Sequence, residues 1–207
     1  MHLTATFEPW TIGDGTYPEL SVGDRYRFAF EMQLSRGRVE RSEAPLQLRG
    51  LGLGEYEACG IVLRRYGSSR NPIIVVDSGE LRCYLVDPFH EAAALQEGQK
   101  ALIKGTLSLD HYQWQENWRT FPDAPDLFYA MQVERIRRVT VPSRFVHRDE
   151  RSSSSPTWVP PSEYATEDIS DVQSMLGEPQ VERFYILDLE GIPPSGTVPL
   201  AYLGEGA

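Results

Sequence analysis

The chain has 207 residues, of which 41% are apolar and 24% are charged, a composition ordinary for a globular protein. Its formal net charge of −10 argues against a long duplex nucleic-acid interface, because affinity for a duplex depends on neutralising phosphates. Two cysteines exclude a disulfide framework, and the longest aliphatic run, residues 73–76, is far short of the roughly 20 apolar residues that span a bilayer.

The first predicted strand is RYRFAFEMQL, residues 25–34, in which apolar and polar side chains alternate. A period of two over this length is typical of a half-buried strand. The apolar face consists of Tyr26, Phe28, Phe30, Met32 and Leu34, and the other face consists of Arg25, Arg27, Ala29, Glu31 and Gln33. The next stretch, residues 35–55, is expected to be a loop with room for one short edge strand.

A second strand, YEACGIVLRRYG (56–67), is predicted to bend or bulge at Gly60, because glycine in a strand interior permits that geometry. The stretch IIVVDSGELRCYLVDP (73–88) then places Asp77, Ser78 and Gly79 between two β-rich runs. Asp-Ser-Gly after hydrophobic residues is also typical of an aspartic protease, which needs two such arms for its carboxylate pair. No second Asp-Ser/Thr-Gly is present, so we predict that Asp77 begins a hairpin turn.

A short helix is predicted over DPFHEAAALQEG (87–98), with Asp87 as its N-cap and Gly98 at its end. The segment QKALIKGTLSL (99–109) alternates again and predicts another strand. A long loop, residues 110–126, then leads to the strand LFYAMQVERIRRVTV (127–141).

This order of elements resembles the OB-fold over roughly residues 56–140. The resemblance rests on the bent strand around Gly60, the hairpin at Asp77, the helix that ends at Gly98 and the strand KALIKGTLSL that follows it. It implies a mainly β fold, with an OB-like five-stranded Greek-key barrel, one short helix and residues 25–34 as an extra N-terminal strand. A small β-sandwich is the competing architecture.

Charge is unevenly distributed along the chain. Residues 1–145 contain 17 Lys and Arg against 19 Asp and Glu, whereas residues 146–207 contain 3 against 11. We predict an OB-like barrel domain over 1–145, a Ser- and Pro-rich linker over 146–180, and a C-terminal strand with a tail over 181–207. The tail region as a whole is acidic and is expected to be partly disordered.

A basic cluster lies near the end of the strand 127–141 and consists of Arg135, Arg137 and Arg138. In one interpretation it is a solvated edge that discourages pairing between sheets. In the other it receives acidic residues of the tail and is masked by them. The acidic residues in question are Glu167, Asp168 and Asp171.

The candidate ligand-binding residues follow from the resemblance, because OB-folds bind ligands with their first inter-strand loop and the loop between the fourth and fifth strands. The residues concerned are Arg64, Arg65 and Arg70 in the first loop, and His111, Tyr112, Trp114 and Trp118 in the second. Arginines that bind phosphates beside aromatic rings that stack on bases would form a platform for single strands. In the other interpretation the two tryptophans fold back and cover the barrel.

No nucleophile elbow, phosphate-binding loop or cofactor motif is present. Cys59, Cys83, His90 and His111 have none of the short spacings that local metal sites use, so we predict no metal. A hydrolase would require one of His90, His111 or His147 beside a nucleophile. The sequence therefore favours a protein without catalytic activity.

We expect a non-enzymatic binding module that engages a protein partner, as an adaptor or an immunity-type protein does. The net charge favours a basic partner, and the N-terminus MHLTATFEPW has no signal-peptide pattern, which indicates the cytoplasm. The alternative function is binding of single-stranded nucleic acid by the basic first loop and the aromatic loop 110–126.

Overall fold

The computed structural model describes residues 1–67, 72–111, 113–116, 118–141, 163–172, 183–193 and 198–201. The described residues form thirteen strands: β1 (His2–Phe7), β2 (Leu20–Ser21), β3 (Arg25–Phe28), β4 (Phe30–Arg41), β5 (Gln47–Gly52), β6 (Glu55–Gly67), β7 (Pro72–Asp77), β8 (Arg82–Val86), β9 (Lys100–Leu109), β10 (Tyr129–Thr140), β11 (Ala165–Ile169), β12 (Asp171–Val172) and β13 (Arg183–Gly191). Four short helical segments accompany them: α1 (Trp10–Gly13), α2 (Gln113–Glu116) and the 3-10 turns Glu91–Ala94 and Trp118–Thr120. The predicted mainly β class is confirmed.

Five strands close into a barrel in the order β6, β7, β8, β4, β9 and back to β6. The pair β4–β8 is parallel and the other four pairs are antiparallel. Strand β6 closes the barrel because residues 55–61 pair with β9 and residues 61–67 pair with β7. The bend or bulge predicted at Gly60 is displaced along the strand, since the register of β6 against β7 shifts between Val62 and Arg64. A Cβ atom at Gly60 would lie 3.4 Å from the carbonyl oxygen of Asp77, so the neighbouring strand passes close to this glycine.

Two strands, β4 and β10, do not occupy the positions that the resemblance implies. Residues 25–34 were expected to be an extra strand, yet β4 begins at Phe30 and is a barrel strand between β8 and β9. The strand expected to be the fifth of the barrel, β10, lies outside the barrel and pairs with β3, β11 and β13. Both edges of β10 are occupied, one by β13 and the other by β3 and β11, so β10 has no edge left for a barrel strand.

The hairpin turn predicted at Asp77 is confirmed. Its carboxylate accepts a hydrogen bond from the backbone N–H of Gly79 at 2.7 Å and another from Nε of Arg82 at 2.8 Å. These contacts cap the turn between β7 and β8, which pair antiparallel. Asp77 thus has a structural role that uses both of its carboxylate oxygens.

The helix predicted over 87–98 is shorter than expected. Asp87 does cap the segment, because its carboxylate accepts hydrogen bonds from the N–H groups of Phe89 and Ala92. However, His90 has a φ of 58° and Leu95 is extended, so the helical part is limited to the 3-10 turn Glu91–Ala94. A left-handed residue cannot continue a right-handed helix, which explains the short element.

A second group of strands extends the sheet beyond β9. Strand β13 lies between β1 and β10 and is antiparallel to both. A parallel contact between Thr6 and Ser108 joins β1 to β9, and the two hydroxyl oxygens lie 2.7 Å apart. Within the predicted linker 146–180, residues 163–172 are described and contain β11, which pairs with β10, and β12, which pairs with β2.

One hydrophobic core runs through both groups of strands. The apolar face predicted for 25–34 is confirmed, since Phe28, Phe30, Met32 and Leu34 are buried within it and Tyr26 packs against it. A second, smaller cluster lies on the opposite face of β4, β7 and β8, and consists of Ala29, Val75, Tyr84, Trp114 and Leu127. Both faces of these strands are therefore covered. Among the described residues, no helix has the length and apolarity needed to cross a membrane.

Candidate functional site

The segment that follows β9 covers the outer face of the barrel. It begins at Asp110 and includes α2, and it carries Trp114 into the second cluster, where the indole is fully buried. The ring of Trp114 stacks on that of Tyr84, with centroids 6.1 Å apart and planes inclined by 17°. Trp114 therefore contributes to the packing of the barrel in this structure.

The same segment reaches the far end of β6. The rings of Tyr66 and Phe121 lie 5.0 Å apart, and the Tyr66 hydroxyl donates a hydrogen bond to the carbonyl oxygen of Asp123 at 3.1 Å. The two regions predicted to bind a ligand are thus in contact with each other. They meet through packed aromatic rings, with Arg64 and Arg65 preceding Tyr66 in β6.

The arginines of the predicted first loop have partners within the chain. Arg65 donates from Nη1 to the carbonyl oxygens of Ala93 and Leu95, at 2.7 and 2.5 Å, and so fixes the 3-10 turn to β6. Arg64 lies 4.0 Å from the carboxylate of Glu97. Arg70 and Tyr112 lie outside the described residues, and the structure describes Trp118 only as part of a 3-10 turn.

His111 takes part in a network of buried polar groups. Its Nδ1 lies 3.0 Å from Oε1 of Glu31, and the other carboxylate oxygen of Glu31 contacts the Tyr84 hydroxyl. The same hydroxyl lies 2.6 Å from Oδ1 of Asp110, which also accepts the backbone N–H of Trp114 at 3.1 Å. Glu31 and Asp110 are both buried, so this network replaces the water that two carboxylates would otherwise bind.

The geometry around Tyr84 constrains where protons lie. A phenol hydroxyl has one proton and donates it to one acceptor at a time. Burial, together with the charges of Asp110 and Glu31, raises the pKa of Tyr84, so the phenol keeps its proton. The phenol therefore links Glu31 to Asp110 as a neutral hydrogen-bonding group.

Two further groups at this network bind protons more tightly than usual. Burial lowers the pKa of His111, but the hydrogen bond and charge of Glu31, with the charges of Glu8 and Asp110, outweigh it and raise this pKa overall. Burial raises the pKa of Glu8, and the charge of Glu31 adds to the effect while that of His111 opposes it. Both groups therefore hold their protons to a higher pH than their ordinary pKa values would allow.

These raised pKa values predict how stability changes with pH. The stabilisation is fully present below the ordinary values, 4.5 for Glu8 and 6.5 for His111, and is lost as the pH rises through the folded-state values. We expect the urea midpoint of unfolding to fall between about pH 6 and about pH 8, and to fall less in a His111→Gln variant.

The matched control for this measurement is His2→Gln, which removes a histidine at the exposed end of β1. In this variant the urea midpoint should decrease with rising pH as much as it does in the wild-type chain. A His111→Gln variant whose midpoint decreases as much as that of the wild type would contradict the assignment.

An exposed tryptophan lies against this network. Trp10, the first residue of α1, is 47% exposed, and its ring lies 5.6 Å from the ring of His111. The backbone beside it is fixed, because the Thr11 hydroxyl donates to the carbonyl oxygen of Glu8 at 2.7 Å and the Tyr17 hydroxyl donates to that of Asp110. A large apolar side chain is therefore presented to solvent on a rigid base.

A second charged feature lies along β10. Arg135 forms two hydrogen bonds with the carboxylate of Asp168, at 2.9 and 2.8 Å, and Arg138 pairs with Glu167. The predicted contact between the basic cluster and the acidic tail is thus confirmed for Glu167 and Asp168. Arg137 instead pairs with Asp188 of β13, at 2.7 Å. Asp171 accepts a hydrogen bond from the Ser170 hydroxyl.

The sequence pattern indicates His111 as a candidate site residue but not the residues that hold it. Glu31 was assigned to a solvent-facing side of its strand, and neither Tyr84 nor Trp10 was considered. Glu31 and Tyr84 are 53 residues apart, and Tyr84 and Asp110 are 26 apart, so no local pattern joins them. The available signal was the acidic Asp110 directly before His111 at the end of a buried strand.

Among the described residues, no group of three His, Cys, Asp or Glu side chains is arranged to hold a metal ion. In comparisons with protein-family models, curated proteins and solved structures, nothing matches this chain.

Proposed function

We propose that this protein is a non-enzymatic binding module and that it engages a protein partner through the surface around Trp10. The observation that carries the proposal is a tryptophan that is 47% exposed and packs on His111. Tryptophan is the residue type most enriched among those that dominate binding energy at protein interfaces. When the backbone that carries such a side chain is already ordered, little conformational entropy is lost on binding.

The surroundings of Trp10 fit an interface that is apolar at its centre and charged at its rim. The pKa of His111 is raised, and the partly buried Glu8 lies close enough to contribute to that shift. Interfaces of this kind use the aromatic side chain for affinity and the charges for orientation. The net charge of −10 supports a basic partner. The two free, buried cysteines support a reducing compartment such as the cytoplasm.

The barrel supports the OB-like interpretation at the level of strand order. Taking β6 as the first OB strand, the order β6, β7, β8, β4, β9 matches the OB arrangement if β4, from the N-terminal side, replaces the fifth strand. OB-folds bind oligonucleotides on the face around their second and third strands. The corresponding face here is covered by Trp114 and Leu127. Fold alone does not determine function.

The nucleic-acid alternative has less support than the protein-binding function. A base could stack on Trp114 only after this side chain had left the second cluster, because the indole is fully buried. Arg65 is engaged with two carbonyl oxygens, and Arg64 lies near the carboxylate of Glu97. Phosphates would have to compete with these contacts.

The histidine–carboxylate pair raises the question of catalysis. A histidine oriented through Nδ1 by a carboxylate is the arrangement of a general base. In the described part of the chain, however, Nε2 of His111 has no hydrogen-bond partner, so no nucleophile is hydrogen-bonded to it. The geometry instead supports a structural role in which Glu31 fixes the ring beneath Trp10.

A pair of exposed aromatic residues allows a controlled test. Trp10→Ala should weaken binding of the partner by about 2 kcal/mol or more, as expected for an interface hot spot. Phe89→Ala is the matched control, because Phe89 is also 47% exposed and lies elsewhere, between β8 and the 3-10 turn Glu91–Ala94. Partners are captured with the tagged wild-type chain, identified by mass spectrometry and measured with purified components by calorimetry.

The proposal requires a protein that binds the wild-type chain and Phe89→Ala equally and loses affinity for Trp10→Ala. A captured protein that binds all three alike would contradict the assignment of the surface. Capture of nuclease-sensitive material instead of protein would favour the nucleic-acid alternative.

A further inference from the structure

Strand β11 is an edge strand that buries little of itself. It pairs antiparallel with residues 136–140 of β10, and four of its five residues are exposed. Ile169, the last residue, is the member that packs against the core. Hydrophobic burial therefore contributes little to holding residues 165–168 in place, and main-chain pairing and charge contribute most.

The charges are arranged on both faces of β10. Neighbouring residues of a strand point to opposite faces, so Arg135 and Arg138 lie on different sides of the sheet. Arg135 holds Asp168 with two hydrogen bonds, and Arg138 holds Glu167. Two consecutive carboxylates of an extended chain are thus bound one on each face. This is a recognition pattern for an acidic pair within a strand.

The third arginine does not depend on β11. Arg137 lies opposite Asp168 in the pairing but forms its ion pair with Asp188, which also accepts a hydrogen bond from the Thr4 hydroxyl at 2.9 Å. Removing β11 would consequently take the carboxylates of Asp168 and Glu167 away from Arg135 and Arg138 while leaving Arg137 engaged. The exposed edge would then present two cations and a row of unpaired backbone groups.

We propose that this edge of β10 is a docking site for an extended acidic segment of a partner protein. On binding, this segment displaces β11 and takes its place beside β10. The replacement exchanges one antiparallel strand for another, so the backbone hydrogen bonds and both arginine contacts are re-formed. Because ion pairs between exposed side chains are weak, residues 165–168 can exchange while Val172 of β12 stays buried in the core.

The chemistry of the incoming segment follows from the occupant. It is extended, carries two consecutive Asp or Glu residues, and has an aliphatic residue at the position of Ile169. The binding of an acidic segment at this edge depends on the nearby arginines and not on the negative net charge of the chain, because the screening length is about 8 Å at physiological salt. The inference concerns a strand edge away from Trp10 and does not rest on the function proposed for that surface.

The test uses the full chain and a fluorescently labelled peptide with the sequence of residues 163–172, EYATEDISDV, as the acidic probe. In the host variant Glu167→Lys/Asp168→Lys, lysines replace the carboxylates and β11 is repelled by Arg135 and Arg138. We expect fluorescence anisotropy to show at least about tenfold tighter binding to this variant than to the wild type, whose tethered β11 competes at high effective concentration.

Two matched controls accompany the measurement. Adding Arg135→Glu/Arg138→Glu to the host should abolish binding of the acidic probe, as should replacing the two consecutive acidic residues of the probe, those of positions 167 and 168, by lysine. Circular dichroism and thermal unfolding establish that each host is folded; the substituted side chains are exposed or partly exposed. A folded host that does not bind the probe, or that binds it no better than the wild type does, would overturn the proposal. Wild-type dimers that disappear on Arg135→Glu/Arg138→Glu would identify a second copy as the occupant and overturn the assignment to a different protein.

Discussion

Replacing Trp114 by alanine is expected to lower the free energy of unfolding by about 3–5 kcal/mol, the range for deleting a fully buried large aromatic side chain. The indole is completely buried, stacks on Tyr84 and covers the outer face of β7 and β8. The loss would leave a cavity beside Tyr84, where the hydroxyl joins Glu31 to Asp110. Water entering that cavity would compete for the hydrogen bonds of the network.

Urea unfolding followed by circular dichroism measures this change, because the midpoint shifts with stability while the slope reports the surface exposed. Trp10→Ala is the matched control. It removes the same side chain from a half-exposed position, and its cost should stay within about 1 kcal/mol. Equal destabilisation by the two substitutions would mean that Trp114 does not pack as described.

Replacing Gly105 by alanine is expected to prevent normal folding, with a loss of about 4 kcal/mol or more. A Cβ atom at this position would lie 2.3 Å from the carbonyl oxygen of Gln33 and 3.1 Å from Cγ of Met32. Gly105 is paired on both sides, with Leu34 of β4 and with Tyr56 of β6. Backbone would have to move on the β4 side, where the register of β4 also shifts between Leu34 and Val39.

Gly50→Ala provides the comparison for this substitution. Gly50 lies in the edge strand β5, and the nearest atom to its Cβ would be 3.7 Å away, an ordinary van der Waals distance. We expect a change within about 1 kcal/mol for Gly50→Ala. Expression yield, circular dichroism and urea unfolding would distinguish the two variants. A Gly105→Ala protein as stable as Gly50→Ala would show that β4 and β9 do not pack as closely as they do here.

The sequence predicted correctly those strands and turns that depend mainly on residues close together along the chain. The alternation of 25–34 identified the buried face of Phe30 and Met32, and the residues around Asp77 identified a hairpin, because both depend on neighbours along the chain. The short edge strand expected between 35 and 55 corresponds to β5. The barrel was implied by the resemblance of this order of elements to a known barrel fold.

The same local patterns do not predict which strands pair when they are far apart along the chain. Strands 25–34 and 127–141 both alternate, and nothing local shows which of them completes the barrel. Glu31 looked like a solvent-facing residue, because a sequence does not reveal that a later segment covers the second face of its strand. The candidate surface at Trp10 depends on this covering and was therefore missed.

The neighbouring positions of β1 and β13 have a consequence for biosynthesis. Thr4 and Asp188 are joined by a hydrogen bond although 184 positions separate them along the chain. Strand β13 also lies between β1 and β10, so both strands keep an open edge until it has been translated. At ribosomal rates of about 5–20 residues per second, β1 waits on the order of 10–40 s for its partner. During that interval the nascent chain exposes a template for pairing with other chains, and its final strand must find the gap between two strands made earlier.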